Sequence, residues 1–196
     1  MSLCQVAGYD FVIVETVGLG QSEIEVKESV DMLMLMVPPG GGDDLQGIKK
    51  GIVEVSDIIL VTKADGTLLP AAKNTAADYR GALRSMPRQQ HSVRMEGWDT
   101  PPVRLLSSHD EHGLDDVWED ICRFRQLMTV SGQLQRKREK QQTYWLWKNI
   151  TETILDRTRK DEALREKANI LQQALGAGTT TPRVAAWELL DDLIKR

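Results

Sequence analysis

The sequence predicts an α/β domain built on a mostly parallel sheet, followed by a helical extension. Three observations carry that expectation. Short apolar runs at Phe11–Val14, Met32–Val37, Ile58–Val61 and Val103–Leu106 alternate with segments of helical period. Alternating strand and helix is the pattern of parallel strands joined by crossover helices. The first three runs carry no polar interruption, which suits strands buried on both faces. Beyond Ser131 the strand signals stop and only helical spacing continues, so residues 1–130 are assigned to the α/β domain and 131–196 to the extension.

Composition narrows the function classes. Charged residues make up 28% of the 196 and the formal net charge is −4. A mildly acidic, soluble chain of this kind has no general attraction to nucleic acid or to an anionic membrane. No apolar run approaches the roughly 20 residues of a membrane helix. The start, Met1-Ser2-Leu3-Cys4-Gln5, shows neither an Arg-rich amphipathic stretch nor a secretory apolar core. Cys4 and Cys122 lie far apart without metal-ligand spacing, which points to free thiols in a reducing compartment.

The elements follow in order. Phe11–Val14 reads as a buried strand that ends at an acid, Glu15, with Gly18 and Gly20 close behind. Ligands of open α/β sheets bind beyond the carboxyl ends of the strands. Glu15 at that edge suits the Mg²⁺ shell of a nucleotide site, and Gly18 lets backbone approach a phosphate. An ordinary turn beside a strand-end acid is the alternative. Ser22–Ser29 is polar and short enough for one or two helical turns. Met32–Val37 reads as the second strand, its methionines filling core or forming a soft binding surface. Pro38, Pro39 and Gly40–Gly42 break the chain before a helix at Leu45–Val55, whose acidic start suits the helix dipole. Gly40–Lys50 is either this helix entry or a mobile switch. Ile58–Val61 is the third strand. A helix opens at Pro70 and runs to about Arg84. Ser85–Pro102 reads as a variable surface loop. Val103–Leu106 is the fourth strand, and Leu114, Val117, Trp118, Ile121 and Phe124 mark an amphipathic helix from Gly113 to Met128.

In the extension, Gln135–Gln142 is highly charged. Tyr144, Trp145 and Trp147 follow, with Ile150, Ile154 and Leu155 continuing the stripe. Leu164, Ala168, Leu171 and Leu175 extend it to Gly176. Thr181 with Pro182 forms an N-cap and first-turn pair ahead of a last helix. Its tryptophans suggest a buried seam, made either with the chain's own sheet or with a second subunit.

The most specific motif is Val61-Thr62-Lys63-Ala64-Asp65, directly after the third strand. An aspartate there can accept from two guanine donors, the ring N–H and the exocyclic amine, a pair that adenine lacks. The stem of Lys63 can lie along the base face. Thr62 offers a hydroxyl where asparagine is usual. Ser107 and Ser108, after the fourth strand, sit where backbone N–H groups can meet the guanine carbonyl. His109-Asp110-Glu111-His112 is chemically able to bind metal, but its place in a polar loop ahead of a helix favours solvated charge. His91 has no partner legible in the sequence.

With these residues in order, the chain closely resembles the methylmalonyl-CoA mutase-associated GTPases of the MeaB/MMAA/ArgK type. The resemblance rests on Tyr9–Glu23, Asp43–Gly51, Thr62–Asp65 and Thr181-Pro182. It implies a P-loop NTPase-like fold and a GTPase that couples GTP hydrolysis to adenosylcobalamin loading and protection of methylmalonyl-CoA mutase. It also implies GTP/GDP and Mg²⁺ as ligands, the mutase as partner, and a homodimer held by the C-terminal helices. A eukaryotic member would be mitochondrial and a bacterial one cytoplasmic. Residue by residue, it places Glu15 in the Mg²⁺ and water network and Gly18 in the adjacent switch. Lys49 falls in a second switch, Thr62, Lys63 and Asp65 in the guanine site, and Ser107 and Ser108 beside it. The family's Gly-x-x-x-x-Gly-Lys-Ser/Thr phosphate loop has no counterpart in these residues. The chain is therefore expected to be the C-terminal part of such a protein, its sheet N-terminally incomplete. A non-catalytic interaction module is the alternative to an enzyme.

Overall fold

The computed structural model describes residues 4, 6–16, 23–40, 50–85 and 95–194. Two compact units divide the chain, Met1–Gln141 and Gln142–Arg196.

In the first unit, a three-stranded parallel sheet runs in the order β1 (Met34–Val37), β2 (Ile58–Val61), β3 (Val103–Leu105). The register is direct, with Val37 opposite Val61 and Val61 opposite Leu105. All four residues of β2 are buried, as its unbroken apolar run predicts. One sheet face packs Leu35, Val37, Ile59 and Val61 against α2 (Lys50–Val55) and α3 (Leu69–Ser85), through Val53, Ala72, Ala76, Tyr79 and Leu83. The opposite face packs Ile58 and Leu60 against α4 (Leu114–Val130), through Val117 and Ile121. Two helices on one face and one on the other give the layered α/β architecture expected from the alternation. The described part of the Leu45–Val55 helix begins at Lys50; its start lies outside the described residues.

Two expectations change. Phe11–Val14 is not a strand: residues 11–16 have no regular secondary structure, and Ile13 is 84% exposed. A strand exists only by hydrogen bonding to a neighbour, and apolar propensity alone does not supply one. Here the Phe11 ring instead lies 4.8 Å from the ring of Trp118 on α4, centroid to centroid, with the Arg125 guanidinium over the Phe11 ring at 5.0 Å. Trp118 is half exposed although its spacing matches the buried stripe. The second change concerns the segment expected to be a surface loop. Its described end is part of the core: Met95 and Trp98 are buried with Phe124 and Met128. Indole area drives this burial, and the Trp98 Nε1–H finds an acceptor in the Asp57 carbonyl at 3.2 Å.

The methionines of the second run divide by position. Met32 and Met34 pack into the sheet core, while Met36 is 61% exposed.

Asp57, at the foot of β2, is almost wholly buried. Its Oδ2 accepts the Leu33 N–H at 2.9 Å, and the Lys137 ammonium lies 3.9 Å away. Lys137 belongs to α5 (Gln133–Lys160), whose opening turns are part of the first unit. Within the second unit, α6 (Glu162–Gly176) and α7 (Pro182–Ile194) pack on each other. Asp161 caps α6 through the Leu164 N–H at 3.0 Å, and Thr181 stands ahead of α7 as its sequence signature predicts. Lys167 reaches across to Asp192 at 2.6 Å. Leu164, Leu171 and Ala185 are buried, whereas Trp147, Ile170 and Trp187 are exposed.

Replacing Asp57 with alanine leaves the Leu33 N–H without its acceptor and Lys137 without its nearest buried counter-charge. We expect Asp57→Ala to lower stability by about 3 kcal/mol, measured as a shift in the urea midpoint at constant slope. A change under about 0.5 kcal/mol would show that water serves both groups equally well.

Candidate guanine-recognition site

The carboxyl ends of β2 and β3 lie side by side, and the two loops that leave them are stitched together by backbone bonds. The Leu106 N–H donates to the Val61 carbonyl at 2.8 Å, and the Ala64 N–H donates to Leu106 O at 3.1 Å. Thr62 is held from the other side: its N–H and its hydroxyl both donate to Val37 O, at 2.9 and 3.2 Å. The Thr62 hydroxyl therefore bonds back to β1, making the anchor expected of an asparagine there with one donor. Ala64 is buried and turns inward. Lys63 adopts φ 53°, a left-handed conformation that costs a side-chain-bearing residue about 1 kcal/mol or more. Strain of that kind persists where surrounding structure enforces it. The result is an exposed lysine stem beside a half-buried Asp65.

Asp65 opens the 3₁₀ turn Gly66–Leu68, yet its side chain makes no capping hydrogen bond to that turn. Its carbonyl accepts from Leu68 and Leu69 instead. The carboxylate is oriented by Ser107, a fully buried residue whose Oγ donates to Asp65 Oδ2 at 2.5 Å. The same Oγ accepts the backbone N–H groups of His109 and Asp110, at 3.2 and 3.1 Å. With both N–H groups filling its lone pairs, the hydroxyl proton must point at Asp65. A carboxylate has about four lone-pair directions. Ser107 uses one, and enough remain for two parallel donors such as those of guanine.

Ser107 was expected to act through its backbone N–H. In this structure that N–H donates to His112 O at 3.0 Å, and the hydroxyl is the group that touches Asp65. Ser108 is exposed at the same loop. The participation of His109 and Asp110 backbone was not expected from the sequence. The signal was available, because a serine two and three residues ahead of free N–H groups readily folds a loop onto its own hydroxyl. Glu15 is exposed in the extended stretch before residue 17, and no hydrogen bond or ion pair among the described residues ties it to the Asp65 loop. Gly18, Lys49 and His91 lie outside the described residues. Among the described residues, no group of three or more His, Cys, Asp and Glu side chains is arranged to hold a metal ion. His109 and Asp110 instead pair with each other, Nδ1 to Oδ1 at 2.6 Å.

Gly113 closes the second loop. Its φ is 80°, and a Cβ there would stand 2.2 Å from the carbonyl oxygen of Leu105. Both conditions admit only glycine, because the loop returns over the end of β3 at backbone distance. We expect Gly113→Ala to cost at least about 2 kcal/mol and to shift the amide resonances of Ser107 and Asp65 in NMR spectra. An unperturbed Asp65 amide would show that the loop closes without this approach.

The His109 imidazole titrates above its ordinary range, first because of its hydrogen bond to Asp110 and then because of the charges of Asp110 and Asp65. A raised folded-state value means the proton contributes stability below the unfolded value of about 6.5. That contribution is lost as pH rises through the folded value. The ring is solvent-exposed, so titration of the ring itself is the sensitive readout. Asp110→Asn should lower the His109 midpoint followed by ¹H–¹³C NMR; an unchanged midpoint would assign the shift elsewhere.

The family described as methylmalonyl Co-A mutase-associated GTPase MeaB matches residues 1–163. The mitochondrial methylmalonic aciduria type A homolog of Mus musculus is 38% identical over 188 residues, which is 96% of this chain and 44% of that protein. GTPase ArgK of Escherichia coli K12 is 38% identical over 189 residues, 96% of this chain and 55% of that protein. The chain thus spans about half the length of these curated relatives. A solved LAO/AO transport system kinase superposes with a TM-score of 0.69 at 33% identity, covering 99% of this chain and 60% of the other. The α/β, P-loop GTPase fold and the family model agree: this chain belongs to the methylmalonyl Co-A mutase-associated GTPase MeaB family.

Proposed function

We propose that the first unit carries the base-recognition half of a guanine-nucleotide site. The observation that supports this best is the Asp65 carboxylate, held by the buried Ser107 hydroxyl and withheld from capping its own turn. Asp65 accepts the guanine ring N–H and exocyclic amine. Lys63 lies along the base, and Thr62 fixes the start of the loop. Adenine presents an acceptor where guanine presents the ring N–H, so it meets the carboxylate with like partial charge. Glu15 belongs to the water shell of Mg²⁺, and Gly18 and Lys49 to segments that respond to the nucleotide or a partner. Bound Mg²⁺ supplies charge neutralisation at the phosphates.

The parent activity we propose is GTP hydrolysis coupled to adenosylcobalamin loading and protection of methylmalonyl-CoA mutase. The family name supports the mutase as partner. Residues 131–196 form the dimerisation extension, and the exposed Trp147, Ile170 and Trp187 of the second unit support that reading. Relatives are mitochondrial in mouse and bacterial in E. coli, so the compartment follows the source. No described helix is long and apolar enough to cross a membrane.

A second reading concerns these 196 residues taken alone. They contain no Gly-x-x-x-x-Gly-Lys-Ser/Thr stretch. Phosphoryl transfer depends on such a cradle, its lysine and its metal hydroxyl for positioning and charge neutralisation. Base recognition contributes mainly uniform binding, which does not accelerate the chemical step. The chain by itself is then a nucleotide-sensing and partner-binding module without turnover.

NMR titration with GDP and ADP tests the site. Guanine should shift the Asp65 and Ser107 amides at roughly 10- to 100-fold lower concentration than adenine, the range of hydrogen bonds to a charged group. Asp65→Asn should erase the difference. Equal response to both nucleotides would reject guanine recognition, and Mg²⁺-dependent GTP turnover abolished by Glu15→Ala would reject the module reading.

A further inference from the structure

A second constellation of charged groups lies away from the base loop, on the opening turns of α5. Helix α1 (Glu23–Lys27) follows the Glu15–Gly18 stretch and ends in the bend Glu28–Asp31. The carbonyls that leave a helix end need donors from elsewhere. Two side chains of α5 donate to carbonyls of this segment, and a third binds its carboxylate. Gln141 Nε2 donates to Val30 O at 2.8 Å and to Lys27 O at 3.3 Å. Lys137 Nζ donates to Asp31 O at 2.7 Å. Arg138 grips the Asp31 carboxylate with both Nε and Nη2, at 3.0 and 2.7 Å. Positions 137, 138 and 141 share one helix face, as residues three and four apart do.

Lys137 also faces inward. Burial pushes its ammonium below the usual lysine range, opposed chiefly by Asp57 and then by Asp31. Its nearest carboxylate oxygen, Asp57 Oδ2, is the one that accepts the Leu33 N–H. One helix face therefore touches the end of α1, the start of the strand pair and the foot of β2. Leu33 and Asp57 are already joined by backbone, the Asp57 N–H donating to Leu33 O at 2.9 Å; what the α5 side chains add is the hold on Lys27–Asp31.

We propose that Lys137, Arg138 and Gln141 form a latch that sets the position of the segment Lys27–Asp31 against the sheet. They are positioning residues: α5 holds the segment Lys27–Asp31 in place, while β2 carries the base loop. Movement of Lys27–Asp31 is felt by the opening turns of α5, and displacement of those turns releases Lys27–Asp31. The consequence for nucleotide sensing rests on the functional reading above, but the latch does not. Coupling of this kind is reciprocal, so a change at either end must be read at the other.

Amide hydrogen exchange on the full 196-residue chain tests it from both sides. The Arg138→Ala/Gln141→Ala variant should speed exchange in residues 23–31 by roughly 10- to 100-fold, as expected from losing hydrogen bonds to a charged group and to helix-end carbonyls. Amides of β2 and α4 should keep their protection. Asp31→Ala should speed exchange at the 133–141 end of α5, and Arg138→Lys should retain part of the protection lost in Arg138→Ala. Acceleration spread evenly over the first unit would reduce the contacts to general stability and overturn the latch. Unchanged exchange at 23–31 would overturn it as well. Failure to bind GDP in the titration above would remove the nucleotide reading and leave this exchange pattern standing.

Discussion

The first unit depends on one four-residue strand. Ile58–Val61 is buried on both faces and paired on both edges. Each residue fully buried there removes roughly 1.5–3 kcal/mol worth of apolar surface from water. Double pairing leaves no backbone group of the strand for solvent. The consequence is positional. A strand this constrained can neither slide nor tilt, because a one-residue slip would exchange the two packed faces. Whatever leaves its carboxyl end is delivered to a fixed point. Thr62–Asp65 is that delivery, and β3 brings Ser107 to the same edge one strand away. At its other end, the strand begins at Asp57, whose buried carboxylate receives both the sheet's Leu33 N–H and the α5 lysine.

How far the sequence reached follows from what each residue needs. β2 was legible to the residue, because four β-branched or aliphatic side chains between a polar Asp57 and a polar Thr62 permit few alternatives. The helices α3, α4 and α7 were legible from period and from Pro70, Gly113 and Thr181-Pro182. Phe11–Val14 has the same local character as β2 and is nevertheless not a strand. Propensity states what a segment tolerates; pairing decides what it becomes, and a pairing partner is a property of the whole sheet. The Trp98 result has a related origin. A segment with Pro87, Gly97, Pro101 and Pro102 reads as loop, but at its described end the large aromatic Trp98 is buried with Phe124 and Met128. Periodicity carries no information about such single insertions.

The candidate site divides the same way. The placement of Lys63 and Asp65 at the carboxyl end of a strand was legible because they directly follow the apolar run Ile58–Val61. The Ser107 hydroxyl was not visible in its role. A serine donates through either its backbone or its side chain, and only the fold decides which is free. Here the backbone N–H is consumed by His112 O, which leaves the hydroxyl to orient Asp65. The left-handed Lys63 and the close approach of Gly113 to Leu105 are likewise three-dimensional facts. Glycine at 113 hints at the second; nothing in the sequence hints at the first.

The two halves of a nucleotide site ask different things of a protein. Base recognition needs rigidity, since a carboxylate that discriminates guanine from adenine must refuse to rotate toward other donors. The Ser107 hydroxyl, with its acceptor side filled by two loop N–H groups, holds the Asp65 carboxylate in one orientation, and the buried β2 holds the frame beneath it. Sensing needs the opposite, an arm that can rest in more than one position. In the function proposed above Glu15 serves that second need: it is exposed, and Phe11, four residues before it, packs on Trp118 of α4. Aromatic contact and side-chain-to-carbonyl bonds are individually worth about 1 kcal/mol, small enough to exchange on binding and numerous enough to define a resting state. Under the proposed function, a rigid base loop beside a more weakly held neighbouring segment would keep the identity of the ligand fixed while the response to it varies.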